Sequence, residues 1–323
     1  MSWEIRAFRD EAVYHVTNRT IRGECRLTPD DMVNLFAEGS LAEAARRYGV
    51  RIIAFIVMGN HFHLIVQTPR ANLDAFMGYF QRELSHRLNA YRGEQGSNFP
   101  KRYRCEEIAS AADFEAEVAR ILCNPVRARL VAQAEQWPGA SSLQMHSSGT
   151  TRRTVRHASR PHAEAVERAG LTPAIKRAMN PVELELSPPP FWPELDDAEV
   201  QARIAALVDA EETQLREEIE RGNERVVGPS RIVTQPYDRA PDVVHWRAYR
   251  RVISKDPEYA ADYHDWYRRN RRIYWKAARR WRERGLWGDY PPGTFPPGWL
   301  QCLPPSGHAG PPLPWRDVRL RAA

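Results

Sequence analysis

Two apolar runs flank a Gly-Asn pair in "RIIAFIVMGNHFHLIVQTP", Arg51 to Pro69, and no other stretch limits the fold as much. Gly-Asn between runs of β-branched and aromatic residues is a signal for a two-residue hairpin. The spacing therefore predicts antiparallel strands over "RIIAFIVM" and "HFHLIVQT". In a strand, residues i and i+2 project from one face. His61 and His63 then stand side by side at the head of the second strand, with Phe62 turned into the opposite layer. Two readings stay open. Either the imidazoles hydrogen-bond as polar groups at a strand end, or they hold a divalent metal with help from elsewhere, since two ligands are too few.

The flanking segments extend the pattern. "AVYHVTNR" (Ala12 to Arg19) is rich in β-branched and aromatic residues and predicts a first strand. A helix follows over "LTPDDMVNLFAEGSLAEAARRYGV", with Thr28 as the expected N-cap and Pro29 at the first helical position. Its end, "SLAEAARRYGV", looks like half of a helix-turn-helix, but a strand-like run comes next instead of a second helix. After the hairpin, Leu73, Phe76, Met77, Phe80, Leu84 and Leu88 recur at helical spacing. "KRYRCEEIA" suits a fourth strand and "AADFEAEVARILCNPV" a third helix, ended or kinked by Pro125. The order β-α-β-β-α-β-α predicts an α+β, ferredoxin-like unit over residues 1–145, an antiparallel sheet with helices on one face.

Beyond it the pattern breaks. Ser, Arg, His and Pro prevail from 146 to 195, which reads as a linker with one short helix near "PAIKRAMN". Residues 196–323 read as a mostly helical extension with a Pro-rich tail. It contains an acidic amphipathic helix (Asp196 to Gly222), for which no function is evident, and a basic-aromatic one (Tyr263 to Gly285). From Trp246 to Gly285 there are 13 Lys and Arg against 5 Asp and Glu, a surplus of eight. That mixture of rings and cations suits nucleic acid. It equally suits an amphipathic helix with Trp266, Tyr274 and Trp281 packed on the N-terminal unit and its arginines in water.

Bulk composition narrows the class. A net charge of +6 favours polyanionic partners. The four cysteines, Cys25, Cys105, Cys123 and Cys302, show no Cys-x-x-Cys spacing, which argues against a disulfide framework or a structural zinc and fits a reducing cytoplasm. The charged N-terminus does not read as a signal peptide, and no run approaches the length of a membrane span. A cytoplasmic protein without membrane contact is expected.

The third helix offers a third ligand. Asn124 is an oxygen donor that would complete a site for Mg²⁺ or Mn²⁺. Here "VYHVTNR", "FIVMGNHFHLIVQTP", "NLDAFMGYFQRELSHRLN" and "NPVRARLV" followed by "WPGASS" resemble, in that order, the single-tyrosine HUH transposases. The REP-associated (repetitive-extragenic-palindrome-associated) tyrosine transposases, related to small insertion-sequence transposases, are the branch concerned. The resemblance spans residues 11–145.

The resemblance implies a ferredoxin-like HUH domain that binds single-stranded or hairpin DNA. It implies a divalent ion that polarises the scissile phosphate, and a helix-borne tyrosine that attacks it. Carried onto this chain, the metal ligands are His61, His63 and Asn124. The nucleophile's place, four residues before that Asn and one turn away on the same face, is held by Arg120. Arginine is not deprotonated in proteins and forms no such covalent intermediate, although its guanidinium suits a phosphate. Tyr14 and Tyr103 are the tyrosines nearest by topology that would substitute. Two functions follow. One is DNA transposition by metal-assisted strand cleavage and joining; the other is an inactive, domesticated DNA-binding regulator or architectural protein. The chain would act as a monomer or a homodimer.

Further residues bear on DNA contact. Lys101, Arg102, Arg104, Arg127 and Arg129 flank the expected site in the chain and suit backbone neutralisation. His15 and Asn18 are read as strand-end polar groups or as outer partners of the metal. Arg82, His86 and Arg87 are expected on a solvated helix face.

Overall fold

The computed structural model describes residues 5–157, 179–241, 250–285 and 289–294. Four strands build the sheet of the N-terminal unit: β1 (Ala12–Arg19), β2 (Arg51–Val57), β3 (His61–Thr68) and β4 (Arg104–Ile108). Their order is β2-β3-β1-β4, every neighbouring pair antiparallel. The sheet and its crossovers make an α+β, ferredoxin-like unit. A two-residue strand from the extension, Val252–Ile253, adds to β4 in parallel. The Gly59-Asn60 turn closes β2 onto β3 through Met58 N–H to the His61 carbonyl, 2.8 Å, as the spacing predicts.

Alternation sorts the strand residues into two layers. Val16, Phe62, Leu64 and Val66 face the crossover helices α1 (Asp31–Tyr48) and α2 (Leu73–Arg92), where Phe36, Phe76 and Phe80 meet them. Each such ring contributes about 1.5–3 kcal/mol by leaving water. Val13, Ile65 and Ile56 face the other way, onto α3 (Ala111–Leu122), so helices cover both faces of the sheet and not the one face expected. A bulge between Ile52 and Ala54 shifts the register of β2. It places Ile53 and Ala54 together on the α3 side and returns Phe55 to the α1–α2 side. Pro125 does interrupt the third helix: α3 stops at Leu122, Cys123 is the cap, and a short helix α4 (Asn124–Arg127) follows.

Other elements depart from expectation. The N-cap of α1 is Asp30, whose carboxylate accepts from Val33 N–H at 2.7 Å, while Thr28 bonds back to the Cys25 carbonyl. An ionised acceptor facing the positive helix terminus outcompetes a hydroxyl two residues earlier. The stretch 146–195 is more than a linker. It completes a short helix α5 (Leu143–Ser147) and carries a hairpin of β5 (Arg152–His157) and β6 (Asn180–Glu185), with Val155, Val182 and Leu184 buried against α1. Gly39 permits this approach: a Cβ there would sit 2.2 Å from the Arg156 carbonyl oxygen. Residues 158–178, which hold most of "PAIKRAMN", lie outside the described residues.

The acidic helix, α6 (Asp197–Arg221), is capped by Asp196 and Glu199 in a capping box and packs on α3. Val200, Ile204, Val208 and Leu215 cover the second sheet face from outside. After a short α7 (Pro229–Ile232), the basic helix α8 runs from Pro257 to Arg284, starting six residues before the expected Tyr263 because Asp256 caps it and Pro257 stands at its first position. Of the expected aromatic stripe, Tyr274 is buried against Ile5 and Ala7, joined by Tyr267, while Trp266 is partly buried. Among the described residues no helix is long and apolar enough to cross a membrane.

Candidate functional site

The face of β3 turned to α3 carries His61 and His63, their ring centroids 5.0 Å apart. The register pairs His63 with Thr17 and places His15 two residues along β1 on the same face. His15 is buried and packs its ring on His63, with Nε2 2.8 Å from His63 Nδ1. Its other nitrogen, Nδ1, lies 3.0 Å from the Glu117 carboxylate of α3 and 3.3 Å from that of Glu106, its cross-strand partner on β4. Carboxylates only accept, so His15 donates through Nδ1. Nε2 is then left facing His63, an arrangement in which His63 donates from Nδ1.

His61 is set from its own chain neighbour. Its Nδ1 donates to the Asn60 side-chain oxygen at 2.7 Å, which leaves His61 Nε2 to act as a ligand. Burial, with the charges of Arg19 and Arg120 nearby, pushes its imidazole down to about 3. His61 is therefore neutral at physiological pH, the state a metal ligand needs.

Helix α3 supplies the opposite wall. Arg120 is half-buried and clamps Glu117 through two bonds, one of them Nε to Oε2 at 3.0 Å. Arg120, Glu117, His15 and His63 thus form one connected chain from helix to strand. Asn124 lies four residues past Arg120, beyond the Cys123 kink; among the described residues its side-chain amide bonds to neither histidine. Beside the His61 and His63 pair, His15, Glu106 and Glu117 bring three buried ligand atoms within 4.8 Å of one another, a separate cluster held together by the hydrogen bonds of His15.

Two expected substitutes for a nucleophile do not reach this face. Tyr14 alternates with His15 and points into the α1–α2 core, its hydroxyl accepting from Arg9 N–H at 2.8 Å. Tyr103 is buried in the same core, its hydroxyl donating to Asp74 with Arg6 over the ring at 3.6 Å. Burial pushes both phenols upward, away from ionisation. The period of two in a strand is the reason for Tyr14: neighbours cannot share a face.

The basic candidates divide. Lys101 and Arg102 are exposed, and Arg104 pairs with Thr17 on the histidine face. Arg127 and Arg129, expected to neutralise DNA, are instead paired with Glu211 of α6 and with Glu224 just past its end. Arg87, expected in solvent, is buried against Glu83 at 2.7 Å, whereas Arg82 and His86 are exposed as expected. Asn18 is buried and ties β1 to the Lys101 carbonyl at 2.9 Å. Glu106 and Glu117 were not anticipated. The i, i+3, i+7 spacing of Glu117, Arg120 and Asn124 was the available signal.

Residues 10–115 match the family of IS200-like transposases. The match takes in the sheet and both crossover helices and ends inside α3, before Arg120 and Asn124. No curated protein matches. Two solved structures are similar in part. A REP-associated tyrosine transposase bound to a REP hairpin is 19% identical, over 46% of this chain and 86% of that one, with a TM-score of 0.40. A Deinococcus radiodurans protein designated a transposase is 18% identical, over 38% of this chain and 97% of that one, with a TM-score of 0.27.

Proposed function

We propose that residues 1–145 form a DNA-binding domain of the single-tyrosine HUH transposase type, directed at single-stranded or hairpin DNA, in which the nucleophile's position has passed to Arg120. The observation that carries this reading is the paired His61 and His63 on a strand of a ferredoxin-like sheet, facing the helix that bears Arg120, within a segment whose sequence matches the IS200-like family.

His61 and His63 would hold Mg²⁺ or Mn²⁺ together with Asn124, and the ion would draw charge from a phosphate oxygen. The remaining roles belong to the chain. His15 orients His63, and Glu106 and Glu117 orient His15. Arg120, held by Glu117, stands as a fixed cation beside His61, suited to a phosphate oxygen but unable to attack phosphorus. Lys101, Arg102 and Arg104 would neutralise the strand that leads to the site. Tyr14 and Tyr103 are spent in the core, which favours the inactive, domesticated reading over strand cleavage and joining.

A denaturing gel tests this. Labelled single-stranded hairpin oligonucleotides from around the gene are incubated with the full chain and Mg²⁺ or Mn²⁺, beside a His61→Ala/His63→Ala control. The expected result is no covalent adduct and no cleavage, with hairpin binding retained on a native gel. A metal-dependent adduct absent from the control would show live transposase chemistry and overturn the proposed loss.

A further inference from the structure

The C-terminal half of α8 separates its two kinds of side chain by face. Tyr267, Tyr274, Ala277 and Ala278 are buried, and Trp266 and Trp275 lie partly buried beside them against Ile5, Ala7 and Tyr290. The opposite side is cationic. Between Arg268 and Arg284 the helix carries nine Lys and Arg against a single acid, Glu283, and all nine are exposed. Arg268 is paired with Asp265, but among the described residues Arg272, Lys276, Arg279 and Arg280 make no ion pair. At 100° per residue these four fall within one stripe, about 12 Å long at 1.5 Å per residue.

The inward face of α8 lies near the segment that leads into β4. Arg102 lies close enough to act electrostatically on the Tyr274 hydroxyl. It belongs to the exposed segment that leads into β4, where Arg104 takes its place beside Thr17 and, across β1, His63.

We propose that the outer face of α8 is a second nucleic-acid surface, one that takes the phosphate backbone of double-stranded DNA. The inward placement of the rings decides between duplex and single strand. A sequence-tolerant single-strand site needs aromatic faces for bases to stack on, and here Tyr267 and Tyr274 are committed to the N-terminal arm. What lies opposite them is a rigid row of cations able to reach phosphates, with the aliphatic Ile273 exposed at its edge. Binding of that kind is independent of base sequence and steeply dependent on salt. This surface needs neither histidine nor metal and goes beyond the function proposed for residues 1–145.

The test is a salt titration on the full chain. Fluorescence anisotropy with a blunt DNA duplex of roughly 20 base pairs, two helical turns, gives the slope of log K against log salt. Four phosphate contacts correspond to a slope change of about 3.6. The Arg272→Gln/Lys276→Gln/Arg279→Gln/Arg280→Gln variant should flatten the slope by three to four, roughly, and equally on two unrelated sequences. These positions are exposed and Gln is a good helix former, so circular dichroism should be unchanged. An Arg272→Lys/Arg279→Lys/Arg280→Lys variant, which keeps the charge, should retain the slope. The His61→Ala/His63→Ala variant should also retain it, which separates failure of this surface from failure of the histidine site. An unchanged slope in the Gln variant overturns the proposal. So does a loss confined to single-stranded DNA, or tighter wild-type binding to duplex RNA of the same sequence.

Discussion

Two groups of arginines invite comparison. Around the histidine face, Arg120, Arg127 and Arg129 are each taken by a carboxylate: Glu117 from the same helix, Glu211 and Glu224 from the acidic helix and its end. Along α8, Arg272, Arg279 and Arg280 face water on a helix half that holds one acid among nine cations. In the chain the two groups look alike, and both suggest DNA. For Arg127 and Arg129 the difference is a partner that folds back within reach; Arg120 has its carboxylate one turn away on its own helix. The acidic helix supplies that partner on one side of the molecule, spending its charge on the N-terminal unit and leaving α8 as the exposed cationic surface.

Four results would break or sharpen that contrast. The largest effect belongs to the histidines. Isothermal titration of Mn²⁺ into His61→Ala/His63→Ala should show binding weakened beyond the roughly 100-fold that loss of an outer partner alone produces; undiminished binding would place the ion elsewhere. Next comes Glu117→Ala, which strips Arg120 and His15 of their shared carboxylate. Removing one partner of a buried pair costs about 3–5 kcal/mol, and about 3 is expected because Arg120 keeps part of its surface in water. Urea denaturation measures it, and a loss below about 1 kcal/mol would mean the chain from helix to strand carries little.

The third result is a pH dependence. His61 sits at about 3 in the fold, against about 6.5 in an unfolded chain. Between those values the unfolded chain binds the extra proton, so stability rises with pH through this window and is fully present above it. Urea midpoints should therefore fall from pH 7 to about pH 4.5 by more in the wild type than in His61→Gln. Equal falls would show that the fold does not hold His61 neutral. The smallest effect is expected at Arg127→Ala. An exposed pair contributes about 0–1 kcal/mol, and hairpin affinity should barely change because Glu211 already balances the charge. A large loss of affinity there would erase the distinction between the two groups of arginines.

Most of the sheet was legible because its signals are local. The Gly59-Asn60 turn and the period-two alternation on either side of it specify β2, β3 and the shared face of His61 and His63. The hairpin of β5 and β6 was not legible. Its strands are short, only Val155, Val182 and Leu184 face inward, and they lie 22 residues apart at their near ends. Their burial depends on α1 offering Gly39 at the contact. The site was legible in half. His-x-His is a contiguous pattern, whereas Glu106 and Glu117 acquire meaning only beside His15, which is distant from both in the chain.

The sequence by itself determined the order of elements as far as the third helix, the shared face of the two histidines, and the absence of a tyrosine at position 120. Each follows from spacing within a few residues, where backbone geometry alone dictates direction. Only the tertiary structure decided which charges are spent. Arg127 on Glu211, and Tyr14 and Tyr103 in the core, are outcomes of packing between elements far apart in sequence, whereas Arg120 meets Glu117 within one helix. Coulomb attraction and desolvation act over ångströms in space, and chain separation does not encode those distances.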